Sequence, residues 1–183
     1  VAARFTNLQR EAMLANPLLD FQKLLLIKRG AGSLGLPQNW QANCGIGRNG
    51  YDNEIAVLSP VGPQGNLTTL LKPKDSEFVG DLKLDFGGDK MLFSMPGRHG
   101  RWQVWEMGTD GQGLRALTGE QPDVDSYDPC YLPDGRVIFA STACYSGVPC
   151  VGGRYGVANL YVTDADGKKT RQLTFDQDDD WCP

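Results

Sequence analysis

The sequence predicts an all-β fold, a partial β-propeller of about three four-stranded blades preceded by one short N-terminal helix. Three observations carry that expectation. Short apolar runs alternate with turn residues, among them 23 Gly and 11 Pro, a pattern of strands and turns rather than helices. Asp-Gly dipeptides recur at matching places. Above all, the chain repeats itself, and a repeat is the best sequence sign of a propeller or solenoid.

The repeat aligns without gaps. Val104-Trp105-Glu106-Met107-Gly108-Thr109-Asp110-Gly111 leads to Leu114-Arg115-Ala116-Leu117-Thr118, and Leu160-Tyr161-Val162-Thr163-Asp164-Ala165-Asp166-Gly167 leads to Thr170-Arg171-Gln172-Leu173-Thr174. Upstream, Gly88-Asp89-Lys90-Met91-Leu92-Phe93 matches Asp134-Gly135-Arg136-Val137-Ile138-Phe139, and a weaker copy runs from Lys23-Leu24-Leu25-Leu26 to Leu67–Leu71. Asp-Gly supplies the positive-φ geometry of tight hairpins. Each unit then reads as a blade whose faces only neighbouring blades bury. A β-sandwich of short strands is the rival architecture.

Element by element, Thr6 and Gln9 have capping-box spacing at the head of a helix over Leu8, Ala12, Met13, Leu14 and Ala15. Asn16-Pro17 ends it, because a residue before proline is pushed out of the α region. Phe21–Lys28 is a buried strand, and the Gly/Asn/Gln-rich stretch 30–50 is a long loop, either functional or a plain surface insertion. Strands are expected at Glu54–Ser59, Leu67–Leu71, Val79–Asp85, Met91–Met95, Trp102–Met107 and Leu114–Thr118. Four more are expected at Cys130–Leu132, Val137–Ser141, Leu160–Thr163 and Arg171–Thr174. The chain divides into a lead-in (1–20), three blades (21–75, 76–120, 121–175) and the start of a further one (176–183), where Asp180-Trp181-Cys182 echoes Asp128-Pro129-Cys130. Since propellers close with 4–8 blades, the expectation is a fragment of a longer chain, whose open apolar faces drive aggregation or dimerisation when it is alone.

Composition bounds the function. Charged residues make up 22 % and the net charge is −4, which gives nucleic acid no basic patch to bind. The longest apolar run, Leu24–Ile27, is far too short to span a membrane. None of the five cysteines forms a C-x-x-C pair or a haem-attachment motif. Cys144 and Cys150 bracket a short turn-prone loop; a disulfide there adds roughly 2–3 kcal/mol in the chain-entropy model and implies an oxidising compartment, while two free thiols are the alternative. Cys130 and Cys182 hold equivalent places in adjacent units and form a second candidate pair.

The densest polar feature is acidic. Asp176, Asp178, Asp179 and Asp180 cluster in one unit, and Asp123, Asp125 and Asp128 sit at the matching place in the previous one, on loops that enter innermost strands; of these Asp125, Asp128, Asp178 and Asp180 are the candidate ligands. Converging there, they would suit a hard cation such as Ca²⁺; turn-forming aspartates are the plainer reading. Arg98, His99 and Arg101 form either an anion contact or an exposed hairpin tip. His99 is the only histidine and no G-x-S-x-G is present, so nucleophilic catalysis finds little footing.

Pro133-Asp134-Gly135 and the terminal pairs Leu117-Thr118 and Leu173-Thr174 resemble the PD40/TolB-like (WD40-like) propeller repeats. Asn16–Phe21, Tyr127–Arg136, Cys144–Gly153 and Leu173–Pro183 resemble the N-terminal propeller of hydrazine synthase alpha-subunit-like proteins. The resemblance implies a periplasmic or otherwise exported multidomain protein whose partners are other domains or subunits. It implies no cofactor within this chain, and c-type haem, where present, in domains outside it. Two functions follow from it: a non-catalytic scaffold or interaction module, or the propeller portion of a haem redox enzyme. A propeller gating a hydrolase is a third.

Overall fold

In a computed structural model, which describes residues 2–37 and 42–183, the chain forms one helix and three antiparallel sheets. Helix α1 spans Ala2–Leu14. It begins earlier than expected: Thr6 lies inside it, its hydroxyl donating to the Ala2 carbonyl at 3.1 Å instead of capping a first turn. The stop is as the sequence implies. Asn16 is extended (φ −65°, ψ 121°), and its side chain accepts from Leu18 N, heading a single 3₁₀ turn over Pro17–Leu19.

Sheet one holds β1 (Leu24–Arg29), β2 (Asn53–Ser59) and β3 (Asn66–Leu71). Sheet two holds β4 (Gly80–Leu84), β5 (Lys90–Pro96), β6 (Trp102–Gly108) and β7 (Arg115–Ala116). Sheet three holds β8 (Ser126–Tyr131), β9 (Val137–Ser141), β10 (Asn159–Thr163) and β11 (Arg171–Gln172). In each sheet, sequence neighbours pair in order. This is the blade arrangement of a β-propeller.

The repeated Leu-Thr has a mechanical role. Beyond the two-residue strand β7, Leu117 N donates to Val104 O at 2.8 Å and the Thr118 hydroxyl accepts from Val104 N at 3.1 Å. Leu173 N and Thr174 Oγ1 treat Leu160 the same way, at 2.8 and 2.9 Å. The threonine hydroxyl takes over the acceptor position of a ladder rung, which is why the outer strands are shorter than the apolar pattern suggests.

Alternation along the strands assigns faces. Met91, Phe93 and Met95 of β5 pack with Ile55, Val79 and Met107 between sheets one and two. Leu92 and Val104 face the other way, joining Tyr131, Val137, Phe139 and Tyr161 between sheets two and three. A third cluster gathers Tyr51, Phe78, Trp102, Tyr127, Ala140 and Ala158 at one end of all three sheets, and Ala42 and Ile46 complete it. The 30–50 stretch is therefore no plain insertion: its second half, a 3₁₀ turn over Ala42–Gly45 and the residues after it, enters the core. Positions 38–41 lie outside the described residues.

Candidate functional site: the strapped end of the sheets

The β1–β2, β5–β6 and β9–β10 connections and the entries to β4 and β8 share one end of the molecule. Residues 42–49 strap across it. Arg48 carries the strap: its guanidinium lies 4.6 Å over the Trp102 ring, donates to Ile46 O at 2.7 Å and reaches Asp125 at 3.2 Å. Trp102 returns the contact, its indole N–H donating to Asn43 O at 2.8 Å.

Asp125, only 4 % exposed, is the hub. It takes Arg48 on Oδ1, Arg101 on Oδ2 at 3.2 Å and the Trp102 amide at 2.8 Å, while its own amide donates to the Thr142 hydroxyl at 2.9 Å. One carboxylate thus ties sheet one's loop, sheet two's hairpin and sheet three together. Asp179 repeats part of this at sheet three, accepting from Ala158 N at 2.7 Å. Loss of water around it, with Asp178 and Asp180 nearby, holds its carboxyl above the usual range.

A second repeat lies deeper. Asp81, Asp128 and Cys182 all take the left-handed conformation (φ 53°, 50° and 54°), and β4 and β8 each bulge there against their neighbour. Burial raises the pKa of the Asp81 carboxyl, against hydrogen bonds from Ser94 and Asn43 that lower it. The Asp128 carboxylate in turn accepts from Cys182 N at 2.5 Å. At the matching place in the preceding unit the Asp128 amide donates to the Ser94 hydroxyl at 3.0 Å, beside the Asp81 carboxyl. This register corrects the expected one: Cys182 corresponds to Asp128, not to Cys130.

The four aspartates singled out in the sequence consequently do different things. Asp125 is clasped by two arginines, Asp128 holds the Cys182 amide, Asp180 accepts from the Thr174 hydroxyl, and Asp178 is exposed. Among the described residues no three metal-binding side chains cluster, and Asp125 as arranged serves its arginines rather than a cation. All five cysteines are free thiols, so neither expected bridge is formed. Cys144 donates to Val157 O at 3.2 Å while Cys150 sits exposed on a 3₁₀ turn; Cys130 donates to Tyr131 O. Cys44 lies 3.6 Å from the Tyr127 hydroxyl, and burial pushes its thiol up to about 11, the opposite of a reactive cysteine.

Arg101 of the expected anion contact turns inward to Asp125, leaving Arg98 and His99 exposed on the hairpin tip. Beside them a cleft of about 290 Å³ opens between sheets two and three, lined by Arg101, Asp125, Thr142, Tyr145 and Arg154. Asn43, Arg48 and Asp81 were not singled out in the sequence, whereas Asp179 belongs to the acidic cluster read there. Aligning Gly80-Asp81 with Tyr127-Asp128 would have found Asp81.

No protein-family model matches the sequence, and no curated protein is similar to it. Solved structures are similar in fold. Hydrazine synthase of Kuenenia stuttgartiensis superposes with a TM-score of 0.63 at 16 % identity, over 87 % of this chain and 26 % of that one. A structure described as TolB of Agrobacterium tumefaciens gives 0.53 at 20 % identity, over 72 % and 41 %. Oligogalacturonate lyase in complex with manganese gives 0.53 at 15 %, over 85 % and 39 %. The chain spans well under half the length of each. The fold is that of the β-propeller.

Proposed function

We propose that this chain is a non-catalytic propeller module, a scaffold within an exported multidomain protein that presents its strapped end to other domains or subunits. One observation carries the reading. The charged groups gathered at that end are spent on one another and on backbone amides of the adjoining sheet, which makes a rigid floor. Exposed Arg98, His99, Tyr145 and Arg154 stand around it, and exposed side chains on a fixed floor suit binding. Comparing amide hydrogen exchange of residues 1–183 alone and within the whole protein tests this. Protection of 97–101 and 142–157 in the whole protein is expected; identical exchange in both would remove the proposal.

The likeness to hydrazine synthase favours a second reading, the propeller of a c-type-haem redox enzyme whose centre lies in other domains. The absorption spectrum of the whole protein decides it: a Soret band supports that reading, and its absence removes it.

A further inference from the structure

Asn49 is the one asparagine in the sequence that precedes a glycine. Asparagine is among the chemically labile side chains, and the residue that follows it sets how labile. The next main-chain nitrogen can attack the carboxamide carbon and close a cyclic imide, an intramolecular step favoured by proximity. A side chain on the following residue crowds that approach, and glycine has none.

The fold leaves this pair open. Asn49 and Gly50 are both exposed, just past the buried part of the strap, where the chain turns toward β2. Gly50 has φ +93°, and a Cβ there would meet nothing within 4 Å. The main chain is engaged on either side: Phe78 N donates to Arg48 O at 2.8 Å, and Tyr51 N donates to Ser76 O at 3.0 Å. Between them, Gly50 N donates to no acceptor among the described residues. The Asn49 carboxamide is held only by a long bond, Nδ2 to Asp75 O at 3.3 Å. Asn66 is the internal comparison: it is exposed as well, but it lies in β3 and precedes Leu67.

We propose that Asn49 is a self-modification site: in the folded protein it deamidates through an imide closed by Gly50 N, and the product loosens the strap. The Gly50 amide gives its proton to hydroxide and the nitrogen bonds to Asn49 Cγ. The Cγ–Nδ2 bond breaks, and Nδ2 takes up a proton and leaves as ammonia. Water then opens the imide. Cleavage at Cγ gives aspartate; cleavage at the main-chain carbonyl carbon gives isoaspartate, whose backbone is one methylene longer. Either product consumes one water, releases one ammonia and puts a carboxylate where an amide stood. That carboxylate cannot donate to Asp75 O. It also faces a segment that already carries Asp75 and Glu77, and like charges there repel. Loss of water and the charge of Asp75 already hold the Glu77 carboxyl above its usual range. The longer backbone of isoaspartate breaks the Asn49–Glu77 bridge and the bonds beside it, which place Arg48 for its ion pair with Asp125. This inference is independent of the partner proposed for the strapped end.

Incubating the folded protein at mildly alkaline pH and mapping its peptides by mass spectrometry tests it. The peptide containing Asn49 should gain one mass unit and split into aspartate and isoaspartate forms. It should do so at least about tenfold faster than the peptide containing Asn66, at a rate that rises with pH. Asn49→Gln, whose longer side chain closes a less favourable ring, should abolish the gain. Aged protein should be cleaved by protease within 42–50 faster than fresh protein, and fresh Asn49→Asp should show part of that increase, since it adds the charge without the extra methylene. Conversion no faster than at Asn66, or conversion seen only after the protein is unfolded, would overturn the proposal. So would a fully converted protein whose strap is cut no faster than that of fresh material.

Discussion

Asp125 shows how little a residue's identity says about its role. A carboxylate in a loop at the mouth of a strand suits a cation or a turn. Here it neutralises Arg48 and Arg101 and caps the Trp102 amide. Removing one partner of a buried pair leaves the others desolvated and unpaired. Asp125→Ala should therefore cost about 3 kcal/mol in urea unfolding, the low end for such pairs because the Arg101 side chain is 41 % exposed. Asp125→Asn, which keeps an acceptor, should cost clearly less. Asp81 gives a prediction of the other kind. Its carboxyl, withdrawn from water, titrates above its ordinary value of 3.8. The folded state thus holds the proton more tightly than the unfolded one, and this stabilisation is complete at pH below 3.8 and lost as pH rises through the raised value. Asp81→Asn cannot titrate, so the stability of the variant relative to wild type should climb as pH rises from acid toward neutral. A flat difference across that range would show that Asp81 carries no such linkage.

At the scale of elements, legibility followed periodicity. Central strands were readable because Met91, Phe93 and Met95 alternate with Leu92 and Ser94, and an alternating pattern has one interpretation when both faces are covered. The Leu-Thr ends were readable as a repeat, though not the hydroxyl rung that shortens the strands. The helix start was missed because Thr6 has the right chemistry and spacing in the wrong place. The strap was missed for a deeper reason. Ala42, Asn43 and Ile46 follow no period, and what buries them is Trp102 and Tyr127, far along the chain. Only tertiary structure reveals such a loop. If the strap is core, Ile46→Ala should cost about 2 kcal/mol, as large-to-small changes at well-packed sites do. It should also speed proteolytic cleavage within 42–50 ahead of global unfolding. Cleavage no faster than in the wild-type chain would mean that the strap only rests on the sheets.

Across the whole molecule, stability resides in the seams between sheets, because a blade cannot bury its own faces. The three Asp-Gly turns make this measurable. Gly111, Gly135 and Gly167 have nearly the same left-handed conformation (φ 82°, 84° and 78°), so alanine meets the same backbone penalty at each, about 1 kcal/mol. Their surroundings differ. A Cβ on Gly135 would meet nothing within 4 Å, one on Gly111 would make ordinary contact with Leu70 O at 3.6 Å, and one on Gly167 would fall 2.0 Å from Leu117 O. At Gly167 the obstacle is main chain of the adjoining sheet, which cannot rotate away as a side chain can. Relief requires sheets two and three to separate, loosening the packing of Leu117 and Tyr161 and the contact of Arg115 with Ala165 O at 2.7 Å. Gly135→Ala and Gly111→Ala should therefore lose similar, small amounts of stability, and Gly167→Ala at least about 2 kcal/mol more, within the range of core overpacking. Equal losses in all three would mean that the seam between sheets two and three yields without cost, and that each sheet is stable without its neighbour.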